Sequence, residues 1–158
     1  MVTAADIARA RKVAGQVEDP ELPPITIADL GVLRGIESDG STDGLIAHIT
    51  PTYSGCPANL VIALAVESAL REAGFARVRV ETDLAPPWSS DDVTEAGRIK
   101  LKAMGIAPPA APGASETPVC PRCDAANVAE ISRFGATACK ALWRCNACLE
   151  PFEAFKRL

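Results

Sequence analysis

The spacing of apolar positions changes several times along the chain, and each change predicts an element. Thr3-Ala-Ala-Asp6 reads as a capping box, with Ile7, Val13 and Val17 as the apolar positions of a short helix behind it. The three prolines of Asp19-Pro-Glu-Leu-Pro-Pro24 forbid helix, because proline lacks an amide donor and restricts the residue before it. Ile27–Gly31 suits a single helical turn closed by Gly31. Val32–Glu37 and Leu45–Thr50 have strand patterns separated by a turn rich in Ser, Asp and Gly, so an antiparallel hairpin is expected. Pro51–Cys56 is then loop, and a helix is expected from Pro57 to about Ala73, with proline at its first position and Gly74 past its last. Leu60, Val61, Ile62, Leu64, Val66 and Leu70 surround much of that helix, which calls for cover on more than one side and would suit a homodimer. Val78 and Val80 share a face of a strand predicted at Arg77–Asp83. After a second loop at 85–90, a helix is expected from about Asp91 to Met104, capped by Ser89 or Ser90 and ended by Gly105.

From Ala107 to Pro118 periodicity stops and Pro, Ala and Gly dominate, the composition of a proline-stiffened linker. The chain is therefore expected to divide into an α/β domain at 1–106, a linker at 107–118 and a cysteine-bearing module at 119–158. The fold class expected is α+β: a small mixed β-sheet of about three strands with helices packed on it, followed by a mostly β zinc ribbon. Charge divides in the same way. Residues 1–118 carry 10 basic and 16 acidic side chains, a net of −6, whereas 119–158 carry 6 basic and 4 acidic, a net of +2.

Composition narrows the function. The apolar fraction of 48% supports a real core, and aromatics at 4% mean that Ala, Val, Ile and Leu must build it. A total charge of −4 argues against nucleic acid as the partner, since phosphate binding rests on Lys and Arg. The N-terminus has charges within its first ten residues and no apolar core of a secretory signal, and the longest apolar run, Leu60–Val66, is too short to cross a bilayer. A cytoplasmic protein is expected, and six cysteines in a reducing compartment point to metal or redox chemistry instead of a disulfide frame.

Four of those cysteines form two CxxC pairs. Cys120-Pro-Arg-Cys123 and Cys145-Asn-Ala-Cys148 are separated by 21 residues, enough for a hairpin. Each pair sits at one turn and both can reach one ion, completing the tetrahedral sulfur site that structural zinc prefers. A module of about 40 residues cannot bury enough apolar surface to fold unaided, so a metal staple fits its size. Disulfides, redox CxxC motifs, a rubredoxin-like iron or an iron–sulfur cluster are the other occupants of such a set. Cys139 lies between the pairs, either as a small buried apolar residue or as a transient thiolate donor.

Cys56 stands apart in Thr50-Pro-Thr-Tyr-Ser-Gly-Cys-Pro57, just before the helix expected at 57–73. The free N–H groups and positive dipole end of a helix start favour thiolate, which could attack a carbonyl, be oxidised or bind a soft metal; an inert buried cysteine is the other reading. His48, the only histidine, alternates with apolar neighbours and reads as structural, with a Cys–His pair as the alternative. Asp19 and Glu21, flanked by prolines, are either loop-fixing hydrogen-bond acceptors or acid–base groups and ligands. Trp88 either packs its loop or covers the cysteine.

Asp19-Pro-Glu-Leu-Pro23, Asp29-Leu-Gly31 and Thr50–Pro57 together resemble the signature of the small metal–sulfur cluster assembly domain, also called the domain of unknown function 59. Pro87-Trp-Ser-Ser90, Glu95-Ala-Gly-Arg98, Gly105-Ile-Ala-Pro-Pro109, Phe134–Cys145 and Glu150-Pro-Phe152 are similar to one branch, the D subunits of phenylacetyl-CoA epoxidase systems. The resemblance runs from about residue 15 to the end, with one departure: no second aromatic follows the Trp88 loop near Asp92-Val93. It implies a non-catalytic accessory subunit of aerobic phenylacetate degradation. Such a subunit would assemble or deliver iron or iron–sulfur clusters to a diiron oxygenase and a flavin/iron–sulfur reductase. Cys56 would bind the transient metal, and Asp19 and Glu21 would shape that site. The alternative role is a docking subunit that holds the complex together through its ribbon.

Overall fold

In the computed structural model, which describes residues 1–158, the chain divides into two units, Met1–Trp88 and Ser89–Leu158. The first opens with α1 (Ala4–Gly15), where the Thr3 hydroxyl accepts from the Asp6 amide and the Asp6 carboxylate accepts from the Thr3 amide, forming the predicted capping box. The proline segment folds back on itself through the bridge between Glu18 and Thr26, and the Leu30 amide closes one turn on the Thr26 carbonyl before Gly31 reverses the chain at a φ of 69°.

Three strands follow: β1 (Leu33–Ser38), β2 (Gly44–Ile49) and, after the helix α2 (Ala58–Glu72), β3 (Arg77–Thr82). Their order is β1-β2-β3, with β1 antiparallel to β2 and β2 parallel to β3. The sheet is therefore mixed, as expected, and α2 supplies the crossover that a parallel pair requires. Ile36, Leu45, Ala47 and Ile49 share one face and are buried; Glu37, His48 and Glu81 alternate with them onto the other. Helix α1 packs on β1 and α2 on β3, with Ile62, Val66 and Leu70 of α2 buried. Another part of the apolar surface of α2 faces outward: Leu60, Val61 and Leu64 are 68%, 53% and 58% exposed. Trp88 ends the unit buried, its indole N–H donating to the Leu30 carbonyl at 2.7 Å, so it packs its loop.

In the second unit the expected helix from Asp91 is split. Ser89 caps a short 3-10 turn at Ser90–Asp92, Val93 is extended, and Thr94 caps α3 (Glu95–Ala103) by accepting from the Gly97 amide. Two competing N-caps within six residues interrupt one helix. Strands β4 (Ile106–Ala107), β5 (Val128–Ser132), β6 (Lys140–Cys145) and β7 (Pro151–Phe155) form a sheet of order β4-β7-β6-β5. β5, β6 and β7 make an antiparallel meander, and β4 runs parallel to β7.

The domain expected at 1–106 would put α3 with the first sheet, but α3 falls in the second unit. The expected linker likewise starts as a ribbon strand, because Ile106 and Ala107 pair with Glu153 and Ala154. The guanidinium of Arg98 on α3 donates to the Pro109 carbonyl and ties the proline-rich segment to the same unit.

Candidate metal centres

The second sheet brings the two CxxC pairs together. Cys145 ends β6, Cys148 lies in the turn to β7, and Cys120 and Cys123 form the turn before β5. The four sulfur atoms lie within 4.8 Å of one another, with Cys120–Cys148 at 3.8 Å and Cys123–Cys145 at 3.5 Å. Zinc–sulfur bonds of about 2.3 Å in a tetrahedron set the sulfurs about 3.8 Å apart, so these four thiols fit a zinc ion. They also sit in the small core of the unit, with Cys120 and Cys145 buried beside Ala107, Phe152 and Ala154.

Local backbone tunes the donors. The amides of Ala147 and Cys148 both donate to Cys145 Sγ at 3.4 Å. Led by the Cys148 amide and against desolvation, these contacts hold the Cys145 thiol down at about 6. The Ala125 amide draws the Cys123 thiol down, but the hydrogen bond with Cys145, desolvation and the other two thiols push it up to about 12. Each pair is followed by a residue in the left-handed region, Asp124 at φ 59° and Leu149 at φ 66°, which lets the chain turn back out of the knuckle. Sequence reasoning missed both, although their equal offset from the two CxxC pairs was the available signal. Asp124 is anchored by Lys102 of α3, 2.6 Å from its carboxylate. Cys139 is buried, its sulfur 3.0 Å from the Thr137 hydroxyl, and is not one of the four clustered donors.

The Cys56 loop lies at the start of α2. The Cys56 amide donates to the Tyr53 carbonyl and the Asn59 amide to the Cys56 carbonyl, folding the chain tightly into the helix. Pro57 is the N-cap with no side-chain cap, so the helix start is left open beside the half-buried thiol. The expected thiolate preference is not met. Burial pushes the Cys56 thiol up, the amides of Ala58 and Asn59 offset this in part, and the charges of Glu21 and Asp19 push it further up. The helix terminus acts as expected but loses to desolvation and to two neighbouring carboxylates.

Asp19 is buried and fixes its loop by accepting from the Glu21 amide at 2.8 Å, while Glu21 is exposed. Both therefore act on Cys56 through their charge, although the three groups do not form a set of donor atoms within 4.8 Å. His48 makes no pair with Cys56: its ring nitrogens face Asp83 and Glu37. A hollow of about 100 Å3 beside the Cys56 loop is lined by Thr50, Tyr53, Ser54, Leu84 and Trp88. The Thr50 hydroxyl is buried with no hydrogen-bond partner.

A mixed α/β domain with a cysteine loop at a helix start, joined to a four-cysteine β ribbon, defines a two-part protein with a four-thiol metal site in its second part. Residues 8–82 match the iron-sulfur cluster assembly protein family, and residues 107–156 match the PaaD zinc beta ribbon domain. The chain is 43% identical over 145 residues to an Escherichia coli (strain K12) protein provisionally described as the D subunit of 1,2-phenylacetyl-CoA epoxidase; the match covers 89% of this chain and 87% of that one. The chain belongs to the family of phenylacetyl-CoA epoxidase D subunits. In fold, it is similar to a crystal structure of the domain of unknown function 59 from Bacillus anthracis, with a TM-score of 0.56 and 25% identity over 61% of this chain and 92% of that one. No helix of the protein is long and apolar enough to cross a membrane.

Proposed function

We propose that this chain is a non-catalytic accessory subunit of a phenylacetyl-CoA epoxidase system in aerobic phenylacetate degradation. It assembles or delivers iron or iron–sulfur clusters to the oxygenase and reductase components through Cys56, while the four ribbon cysteines hold a structural zinc. The observation that carries this reading is the electrostatic setting of Cys56. Glu21 and Asp19 disfavour a bare thiolate there, and the same two charges favour a cation beside the sulfur. Such a thiol stays protonated until a metal arrives and gives up its proton on binding, so the bond is made and broken with the cargo. That behaviour suits transient carriage better than a free nucleophile, and His48 is engaged elsewhere and offers no base.

The test is cofactor loading of the partner proteins in cells carrying Cys56→Ser. The oxygenase and reductase should be recovered with depleted iron and sulfide while the zinc content of this chain is unchanged. Full loading of both partners in that strain would overturn the reading.

A docking role through the ribbon is the second reading. It is favoured by an open groove of about 990 Å3 in the second unit, whose lining includes Phe134, Trp143 and Lys156. Phe134 is 66% exposed there, with the Lys156 ammonium 4.2 Å from its ring centre. On this reading Phe134→Glu abolishes co-purification of the epoxidase components and Cys56→Ser does not; retained co-purification of the Phe134 variant would remove it.

A further inference from the structure

The sheet of the first unit carries a second set of donor groups, which shares no residue with the ribbon or the Cys56 loop. His48 on β2 and Glu81 on β3 are direct partners in the parallel ladder. Asp83 follows just beyond β3 and is held in register by its amide, which donates to the Ile49 carbonyl at 2.8 Å. One donor atom from each of His48, Glu81 and Asp83 lies within 4.8 Å of the other two. Asp83 Oδ2 is 3.0 Å from His48 Nδ1, and Glu37 of β1 places Oε1 3.4 Å from Nε2 on the opposite edge of the ring. Three carboxylates thus surround one imidazole. The nearby cation that answers them is Arg79, 65% exposed and 2.9 Å from Glu81.

We propose that His48, Glu81 and Asp83 form a binding site for a borderline divalent first-row ion such as Zn2+, with solvent completing its coordination. The imidazole sets this group apart from a solvated acidic patch, because one nitrogen with two carboxylate oxygens suits zinc, iron or manganese. In the metal-free ring the 3.0 Å contact has Nδ1–H donating to the Asp83 carboxylate. A metal on Nδ1 takes that place and moves the proton to Nε2, where Glu37, 3.4 Å away, accepts it. This is the outer carboxylate contact that orients metal-ligating histidines. Bonds of about 2.0–2.2 Å in a tetrahedron place neighbouring ligand atoms about 3.3–3.6 Å apart, so Nδ1 and Oδ2, at 3.0 Å, need to separate by only a few tenths of an ångström. Glu81 completes the set by rotating away from Arg79, whose exposed ion pair is weak enough to give way.

His48 is the only histidine, so its ring nitrogens report without ambiguity. The test is a Zn2+ titration of the full chain with its ribbon metal in place, followed by calorimetry and by long-range proton–nitrogen spectra of the imidazole. We expect one saturable equivalent beyond the ribbon ion, a shift of the Nδ1 resonance, and the ring proton on Nε2. The Asp83→Asn and Glu81→Gln variants should each weaken this equivalent about tenfold or more, without change in ribbon zinc. Cys56→Ser should leave it intact, which separates this site from the carrier role. An imidazole unmoved by Zn2+, a shift at Nε2 in place of Nδ1, or unchanged affinity in both carboxylate variants would overturn the proposal. The wild-type titration reads the ring directly, so the outcome does not depend on any variant folding.

Discussion

At Cys56, burial and two carboxylates oppose a helix terminus, and the resulting direction is a thiol held above its ordinary value. Its thiolate is therefore scarce at neutral pH and grows as pH rises. Removing one opposing charge should reverse part of the effect. Asp19→Asn is expected to lower the Cys56 thiol and speed its alkylation by iodoacetamide at a fixed pH near 8, read at the Cys56 peptide by mass spectrometry; an unchanged rate would mean the carboxylate does not reach the sulfur. Leu149 shows strain of another kind. Its φ of 66° costs an L residue roughly 1–2 kcal/mol, and its side chain is 69% exposed, so little packing offsets that cost. Glycine gives back about 0.5–1 kcal/mol through its greater freedom in the unfolded chain. Leu149→Gly should then stabilise the zinc-loaded ribbon by about 0.5–1 kcal/mol in denaturant unfolding, and a loss of stability would show that Leu149 makes contacts that matter. The CxxC spacing singled out the four thiols that the fold brings together, but the direction of the Cys56 shift was not legible. It depends on which side chains the proline loop at 19–24 folds against the thiol, and no local pattern carries that.

Elements were legible wherever one rhythm ran long enough. The capping box of α1, the β1–β2 hairpin and helix α2 followed from periodicity and end signals, because caps and turns are set by residues close in sequence. The 3-10 turn at 90–92 and the short β4 did not, since one depends on a second cap at Thr94 and the other on pairing with a strand far along the chain. The ribbon strands share a device that composition concealed. Lys140 on β6 is buried, with its ammonium 2.6 Å from Glu153 of β7, and the other Glu153 oxygen accepts from the Ala136 amide at 2.6 Å. Burial alone would raise the Glu153 carboxyl, but the Lys140 hydrogen bond, the Ala136 amide and the Lys140 charge leave it below its ordinary 4.5. A carboxyl depressed in the folded state stabilises fully above its unfolded value and loses that contribution as pH falls through the folded one. Glu153→Ala should cost about 3 kcal/mol at pH 7 by leaving Lys140 buried and unpaired. The difference in stability between wild type and variant should shrink below about pH 4.5. A pH-independent difference would assign the loss to packing alone.

For the whole molecule, composition and charge pointed to an α/β domain and a cysteine ribbon, and the chain divides at Trp88 into two units, with α3 in the second. The reason is physical. A ribbon of this size has a small core of its own, Ala107 of the strand at 106–107 extends it, and α3 packs on that strand. On the proposed reading the two modules also divide the metal chemistry. Four closed sulfur ligands in a core suit a permanent ion, whereas one thiol held above its ordinary value by burial and two carboxylates suits an ion that leaves. The most direct measurement is metal and acid-labile sulfide analysis of anaerobically purified protein, wild type beside Cys56→Ser. Carriage through Cys56 predicts ribbon zinc in both, with iron and sulfide in the wild type only; zinc in both and no iron in either, even after reconstitution with iron and sulfide, would contradict it.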